Sequence, residues 1–265
     1  MTDLGSVVGA VLGLLAIAGG QILGGGHLGQ IFQFTSGLIV IGGTLGATLS
    51  SCPMSDIRRA LCMLPKVFKD SEHEVGSVID EVIHIAMIAR KEGVLAVEPH
   101  RAALQNALLR KSLKYVTDGF EPATVRELLD AEIESAFESE ENAARVFEIA
   151  GGYAPAVGIL GAVLGLIQVL SALSDPSKIG EGIAVAFVST LYGLALANLV
   201  LLPWSNKLRR KIQQRLATQE VVRLGVLGIL DGLSPNVLQE RLLFFVEDGK
   251  GQADPRGARE KSAAK

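Results

Sequence analysis

The sequence predicts an all-α membrane protein: four transmembrane helices, with a helical cytoplasmic domain between the second and third. Three observations predict it. The composition is 49% hydrophobic yet only 5% aromatic, with 30 glycines, which suits closely packed helices in lipid better than a bulky water-soluble core. Residues 4–23, 31–50, 150–173 and 183–204 carry no charged side chain, and each is about the 20 residues a helix needs to cross the hydrocarbon layer. The basic residues, finally, are sharply partitioned.

Residues 1–50 contain no Lys or Arg, residues 51–150 contain 12, residues 205–265 contain 12, and Lys178 stands by itself between spans three and four. The positive-inside rule therefore puts residues 51–149 and the C-terminal segment in the cytoplasm, and both termini with them. Residues flanking the spans agree: Arg58, Arg59, Lys66 and Lys69 follow span two, and Lys207, Arg209, Arg210, Lys211 and Arg215 follow span four. Trp204 stands where an interfacial aromatic is expected. Segment 4–23 has only Asp3 before it and no basic n-region, so it reads as a retained helix. The resulting divisions are 1–50 (spans one and two), 51–149 (cytoplasmic helices), 150–204 (spans three and four), 205–246 (C-terminal cytoplasmic helices) and 247–265, a Gly-, Lys- and Arg-rich tail expected to be disordered.

Small residues four apart recur in the spans. Gly5, Gly9 and Gly13 lie on span one, Gly42 and Gly46 on span two, Gly161 and Gly165 on span three. Such spacing lets helix backbones approach closely. For span one the expectation is packing inside the bundle; for span three, where Gln168 shares the helix, packing and a lumen-facing role are both open.

In the cytoplasmic domain, Val75, Val78, Ile79, Val82, Ile83 and Ala86 follow a helical stripe that ends at Arg90 and Lys91, with Gly93 placed to cap it. A turn over 94–98 before Pro99 and a helix from about Arg101 to Val116, stopping near Gly119, come next. Pro122 suits the first turn of a long helix running into span three. Its acidic residues Glu132, Glu134, Glu138, Glu140 and Glu141 read as a solvated face. Leu208, Ile212 and Leu216 extend span four into the cytoplasm, and Ser234-Pro235 opens a last helix ending near Val246.

None of the four spans contains Asp, Glu, Lys, Arg or His. Intramembrane charge costs about 2.5–3.5 kcal/mol at mid-membrane and persists where ions are handled. Here the polar groups in the spans are hydroxyls and amides, among them Thr44, Thr48, Gln168, Ser189, Thr190, Tyr192 and Asn198. A hydroxyl does not titrate near neutral pH, so a partner must bring the carboxylate if protons are moved. Cys52 and Cys62 lie in a reducing compartment and lack His or Cys at zinc spacing; the histidines, His27, His73, His84 and His100, are scattered. No metal or other cofactor is expected. No nucleophile, base and orienting group converge, which argues against an enzyme, and a net charge of −3 gives no reason to expect nucleic acid.

Four segments resemble the MotA/PomA family, the larger subunit of the bacterial flagellar stator. They are Ile39-Val-Ile-Gly-Gly-Thr-Leu-Gly-Ala-Thr-Leu in span two, Ala89-Arg-Lys-Glu-Gly-Val-Leu-Ala-Val-Glu98 in the cytoplasmic domain, Ala154-Pro-Ala-Val-Gly-Ile-Leu-Gly-Ala-Val-Leu-Gly-Leu-Ile167 in span three, and Ser189-Thr-Leu-Tyr-Gly193 followed by Pro203 in span four. The likeness covers about residues 1–246. It implies a multi-pass subunit of the bacterial inner membrane, five copies of which ring two helices of a MotB-type, peptidoglycan-binding partner that carries the ion-binding aspartate. It implies that Arg90 and Glu98 engage the rotor switch protein FliG, and that Pro155 and Pro203 are hinges coupling ion passage to the cytoplasmic domain. Ala162 and Thr190 fall at channel-lining positions. Sodium-type members resemble Gly-Thr-Leu-Ile-Gly where this chain reads Gly161-Ala-Val-Leu-Gly165; Ala162 lacks an oxygen that sodium could use, which favours protons. The TolQ/ExbB energisers are similar in the last two spans but have a single helix before the cytoplasmic domain, so spans one and two count against them. A secondary transporter would show internal repeats or midplane charge, and the sequence shows neither.

Overall fold

In the computed structural model the described residues are 4–69, 75–174 and 176–249. His73 and the tail beyond Gly249 lie outside them. All regular elements among these residues are helical. In order they are α1 (Leu4–Leu23), α2 (Phe34–Ser51), α3 (Met54–Phe68), α4 (Val75–Glu92), a 3₁₀ stretch (Val94–Ala103), α5 (Ala107–Thr117), α6 (Pro122–Ser171), α7 (Pro176–Ala195), a π-helical stretch (Leu196–Leu201), α8 (Leu202–Leu230) and α9 (Pro235–Gly249). A second π-helical stretch, Leu38–Gly42, lies within α2.

Among the described residues, three helical stretches are long and apolar enough to cross a membrane: Phe34–Ser51, Pro122–Ser171 and Ile179–Leu230, the last joining α7 and α8 through the π-helical stretch. α1 is helical over the predicted residues, and its apolar stretch Val11–Leu23 is shorter.

The chain forms two compact units, residues 1–70 with 139–210 and residues 71–138 with 211–265; α6 and α8 contribute to both. In the first, α2 is tied to α7 and α6 by side chains at its two ends. The Tyr192 hydroxyl donates to the Ile31 carbonyl at 2.7 Å and accepts the Gln33 N–H at 3.2 Å. Ser51 Oγ lies 2.7 Å from the Tyr153 hydroxyl. Between these ties, Gly43 leaves room for Val157, whose Cγ1 would lie 2.7 Å from a Cβ there. Trp204 is half-buried, edge-to-face with Phe68 and Phe147, rather than fully presented at an interface.

The second unit has a conventional core. The α4 stripe (Val78, Ile79, Val82, Ile85) meets Leu109 and Leu113 of α5, Val125 and Leu129 of α6, Val222 and Val226 of α8, and Leu238 and Leu242 of α9. Gly93 has φ +92° and ends α4, its N–H bonded to the Ala89 carbonyl. The segment after it differs from the sequence expectation. A single 3₁₀ stretch runs through Pro99 to Ala103, and α5 starts only at Ala107. The reason is a cap: Asn106 Oδ1 accepts the Leu109 N–H at 3.0 Å, which fixes the first turn of the helix there. α6 begins at Pro122 as expected.

Candidate functional site

Arg90 and Glu98 both lie on the second unit and both are exposed. Arg90, in the last turn of α4, donates from Nη1 to the Gly232 carbonyl at 3.2 Å. Gly232 (φ +71°) closes α8: its N–H bonds Ile229 and the following Leu233 N–H reaches Gly228. Glu98 has two partners within the chain. One carboxylate oxygen is 3.0 Å from Arg101 Nη2, and the other accepts the Thr117 hydroxyl at 2.8 Å. The two residues are therefore not an ion pair; each is held by a different neighbour.

His84 and His100, separated in sequence, meet edge-to-face with ring centroids 6.4 Å apart. They border a cavity of about 490 Å³ that Asp80, Glu81 and Gln105 also line. His100 Nδ1 is 3.2 Å from the Ala96 carbonyl, and Glu81 Oε1 accepts the Gln105 N–H at 3.2 Å. Among the described residues no three or more His, Cys, Asp or Glu are grouped to hold a metal ion. Sequence spacing could not reveal this meeting, because His100 reaches α4 only through the 3₁₀ stretch.

In the first unit α6 and α7 are joined along a seam of small residues. A Cβ on Gly158 would lie 2.9 Å from the Ser189 carbonyl; on Gly161, 2.6 Å from Ser189 Cβ; on Gly165, 2.6 Å from the Ala186 nitrogen; on Gly193, 2.6 Å from the Ala154 carbonyl. The span-three glycines thus pack on the next helix. The open question at Gly161 and Gly165 is answered in favour of packing. On α1 the outcome differs from expectation: Gly13 faces Leu199, but a Cβ on Gly9 would meet nothing within 4 Å. Gly42 and Gly46 are equally open; on α2 the tight contact is at Gly43, and Gly37 meets the Tyr192 ring.

Ala162 and Thr190 are half-buried. The Thr190 hydroxyl donates to its own helix at the Ala186 carbonyl, 3.2 Å away, and keeps its lone pairs. The sequence offered Ser189 only as one span hydroxyl among several and as the opening of a motif, with no role of its own. It is fully buried and its Oγ has no hydrogen-bond partner among the described residues; the Val185 carbonyl one turn back accepts Ser36 Oγ at 3.3 Å. Thr44 Oγ1 is likewise buried without a partner. Pro155 is half-buried within an unbroken α6, whereas Pro203 lies two residues after the end of the π-helical stretch. There the Leu202 N–H bonds Ala197, five residues back. Proline at 203 can offer no N–H to Leu199, and the widened turn before it is the local response.

The acidic run of α6 is not simply solvated. Glu132 pairs with Lys111 at 2.8 Å, Glu140 with Lys66 at 3.6 Å, and Glu141 with Arg209 at 2.8 Å. The hydrogen bond that Lys111 donates to Glu132 holds its ammonium above the usual lysine range. Burial pulls the Arg209 guanidinium down, but its hydrogen bond to Glu148 at 2.7 Å and the charges of Glu141 and Glu148 outweigh that, leaving it raised. Arg209 Nε is close to Glu141 without being aligned for a hydrogen bond.

Residues 100–220 match the MotA/TolQ/ExbB proton channel family, and residues 7–93 match the N-terminal region of motility protein A. The chain belongs to this family. The N-terminal match places it on the motility branch, in keeping with the two helices before α3. It is 33% identical to the uncharacterized protein YtxD of Bacillus subtilis, over 97% of this chain and 95% of that one. It is 32% identical to motility protein A of the same organism, over 92% and 91%. The solved structure of C. jejuni MotAB superposes with a TM-score of 0.87 at 30% identity, covering 96% of this chain and 98% of that one. The chain is accordingly a flagellar stator subunit of the inner membrane, and not an enzyme.

Proposed function

We propose that this subunit forms a proton channel with a MotB-type partner and converts proton flow into torque on FliG. One observation carries the reading: a member of a proton channel family has no Asp, Glu, Lys, Arg or His in residues 4–23, 31–50, 150–173 or 183–204. In this reading those four segments are the spans, residues 51–149 and 205–246 are cytoplasmic with both termini, and five copies ring two partner helices. The partner's carboxylate binds the ion beside Ala162 and Thr190. Pro203, next to the π-helical stretch, is the hinge that the backbone geometry supports best, with Pro155 as its counterpart on α6. Arg90 and Glu98 form the rotor face. Ala162 supports protons over sodium, because sodium needs several oxygen ligands and this position offers none.

The test is conductance. Purified chain in liposomes should pass no current, and co-reconstitution with its single-span partner should create one that persists when sodium is replaced by choline. A proton leak through the chain by itself, or a current that requires sodium, would count against the reading.

A further inference from the structure

The helix after span two, α3 (Met54–Phe68), carries three lengthwise stripes. Ala60, Met63 and Val67 form the buried one, and the helix packs on α1 and sets Phe68 edge-to-face with Trp204. Arg59, Cys62 and Lys66, each one position earlier, form an exposed polar stripe. Met54, Arg58, Leu61 and Pro65, at spacings of four, three and four, form the third. It is largely apolar and yet open, Met54 by 53% and Leu61 by 60%. Arg58, in its midst, has no carboxylate partner among the described residues. A helix in water turns its apolar side inward once, against the protein; α3 has a second apolar side with no protein on it. The exposed apolar side of α2 (Leu38, Ile41, Leu45 and Leu49) leads along the chain to Met54. Between the two helices Cys52 and Pro53 are extended, with ψ 142° at both, so α2 stops and the chain is free to turn. Pro65 can offer no N–H to the Leu61 carbonyl, which water at a membrane surface can serve and hydrocarbon cannot.

We infer that α3 lies along the cytoplasmic surface of the membrane with its Met54, Leu61 and Pro65 side in the lipid, and that Arg58 binds the phosphate of an anionic phospholipid headgroup. The inference rests on the topology proposed above, which puts residues 51–149 in the cytoplasm. Three stripes meet three surroundings: protein, water and lipid. The Arg58 stem can lie along acyl chains while its guanidinium reaches out to the headgroups, where its fork of N–H donors matches phosphate oxygens. Apolar contact and attraction to anionic lipid then add, as they do for amphipathic helices held in the interface. A second copy of the chain on the same stripe would have to bring a carboxylate to Arg58, whereas an anionic leaflet offers the counter-charge all along the helix.

The experiment uses the full chain with its single-span partner in lipid nanodiscs. With Cys52→Ala and a cysteine-free partner, a nitroxide is attached either at Cys62 or, with Cys62→Ser, at Leu61→Cys. The ratio of collisions with oxygen to collisions with an aqueous nickel chelate should be at least threefold higher at position 61 than at 62. Equal ratios would put the stripe in water, and a label at 61 shielded from both reagents would put protein on it; either overturns the lipid contact. The headgroup is tested without labels. Exchanging a third of the phosphatidylcholine for phosphatidylglycerol should raise the thermal midpoint of the complex. That rise should fall by at least half in Arg58→Gln and persist in Arg59→Gln, on the water stripe. No rise in the unaltered complex, or the same rise in Arg58→Gln, overturns the headgroup site. A membrane-impermeant maleimide on Cys62 separates this inference from the topology beneath it. Reaction in inverted vesicles and not in spheroplasts is expected; reaction in spheroplasts would overturn the cytoplasmic placement and, with it, the assignment to that leaflet, whatever the nitroxides report.

Discussion

In the unit built from residues 71–138 and 211–265, the large aliphatic side chains turn inward. Val82, Ile85, Leu109, Leu113, Leu129 and Leu238 are at most about a hundredth exposed. In the unit of residues 1–70 and 139–210, many of the same residue types face outward: Phe34 is 85% exposed and Phe187 75%, with Leu38, Leu160 and Leu170 also turned out. Along the α6–α7 seam its closest helix contacts are made by glycine, alanine and serine, while valines and a few larger side chains such as Met63 and Phe147 fill the rest of its interior. The difference is the one expected of a unit built for lipid beside one built for water. In water, burying an aliphatic side chain gains about 1.5–3 kcal/mol. Against lipid tails that gain vanishes, and helices associate instead through close backbone approach and van der Waals contact. One chain thus carries two packing chemistries, and substitutions should expose which is in force where.

The largest effect is expected at the α6–α7 seam. Gly193→Val would drive a side chain into the Ala154 carbonyl and the Gly158 backbone, neither of which can yield without parting the helices. The protein should fail to accumulate in membranes and motility should be lost; normal abundance on an immunoblot would show that the seam does not hold the unit together. A smaller effect is expected in the other core. Leu109→Ala removes a fully buried side chain and should cost about 2–5 kcal/mol, seen as a lower thermal midpoint in detergent with insertion intact. A change near zero would mean that this core is less tightly packed than its burial indicates.

Arg90 tests a surface of the second unit and not its packing. It is exposed and bonded only to the Gly232 carbonyl among the described residues. Arg90→Gln should therefore reduce swimming in part, and Arg90→Glu should reduce it far more, with no shift in the thermal midpoint. Normal swimming by Arg90→Glu would return the residue to a helix-end charge. The smallest effect is expected at Gly46, where an added methyl meets nothing within 4 Å. Gly46→Ala should leave the stability of the chain within about 0.5 kcal/mol of the original. A loss of assembly with the chain's own stability unchanged would show that this open face packs against a neighbour.

Periodicity and charge made the helices legible, because both are local properties. The limits of α1, the start of α6 at Pro122 and the capping glycine at Gly93 all follow from a few adjacent residues. The charge-free segments and the ordered motifs were enough to indicate the family as well. The misreadings had two sources, a neighbouring cap that outweighed the pattern and partners distant in sequence. The helix expected from Arg101 starts at Ala107 because the adjacent Asn106 side chain caps it. The acidic face of α6 looked solvated because its partners, Lys66, Lys111 and Arg209, lie on other helices.

By itself, then, the sequence determined which segments are apolar helices, where the cations gather, and that the charge-free segments offer no carboxylate, since each is a matter of residue type along the chain. Only the tertiary structure decided which glycines are in use, because GxxxG spacing on Gly42 and Gly46 looks the same as on Gly161 and Gly165 until a neighbouring helix is in place. It also decided that Glu98 is held by Arg101 and Thr117, that His84 meets His100, and that Ser189 is buried without a partner. These are properties of pairs, and a pair brought together by folding leaves no periodic trace along the chain.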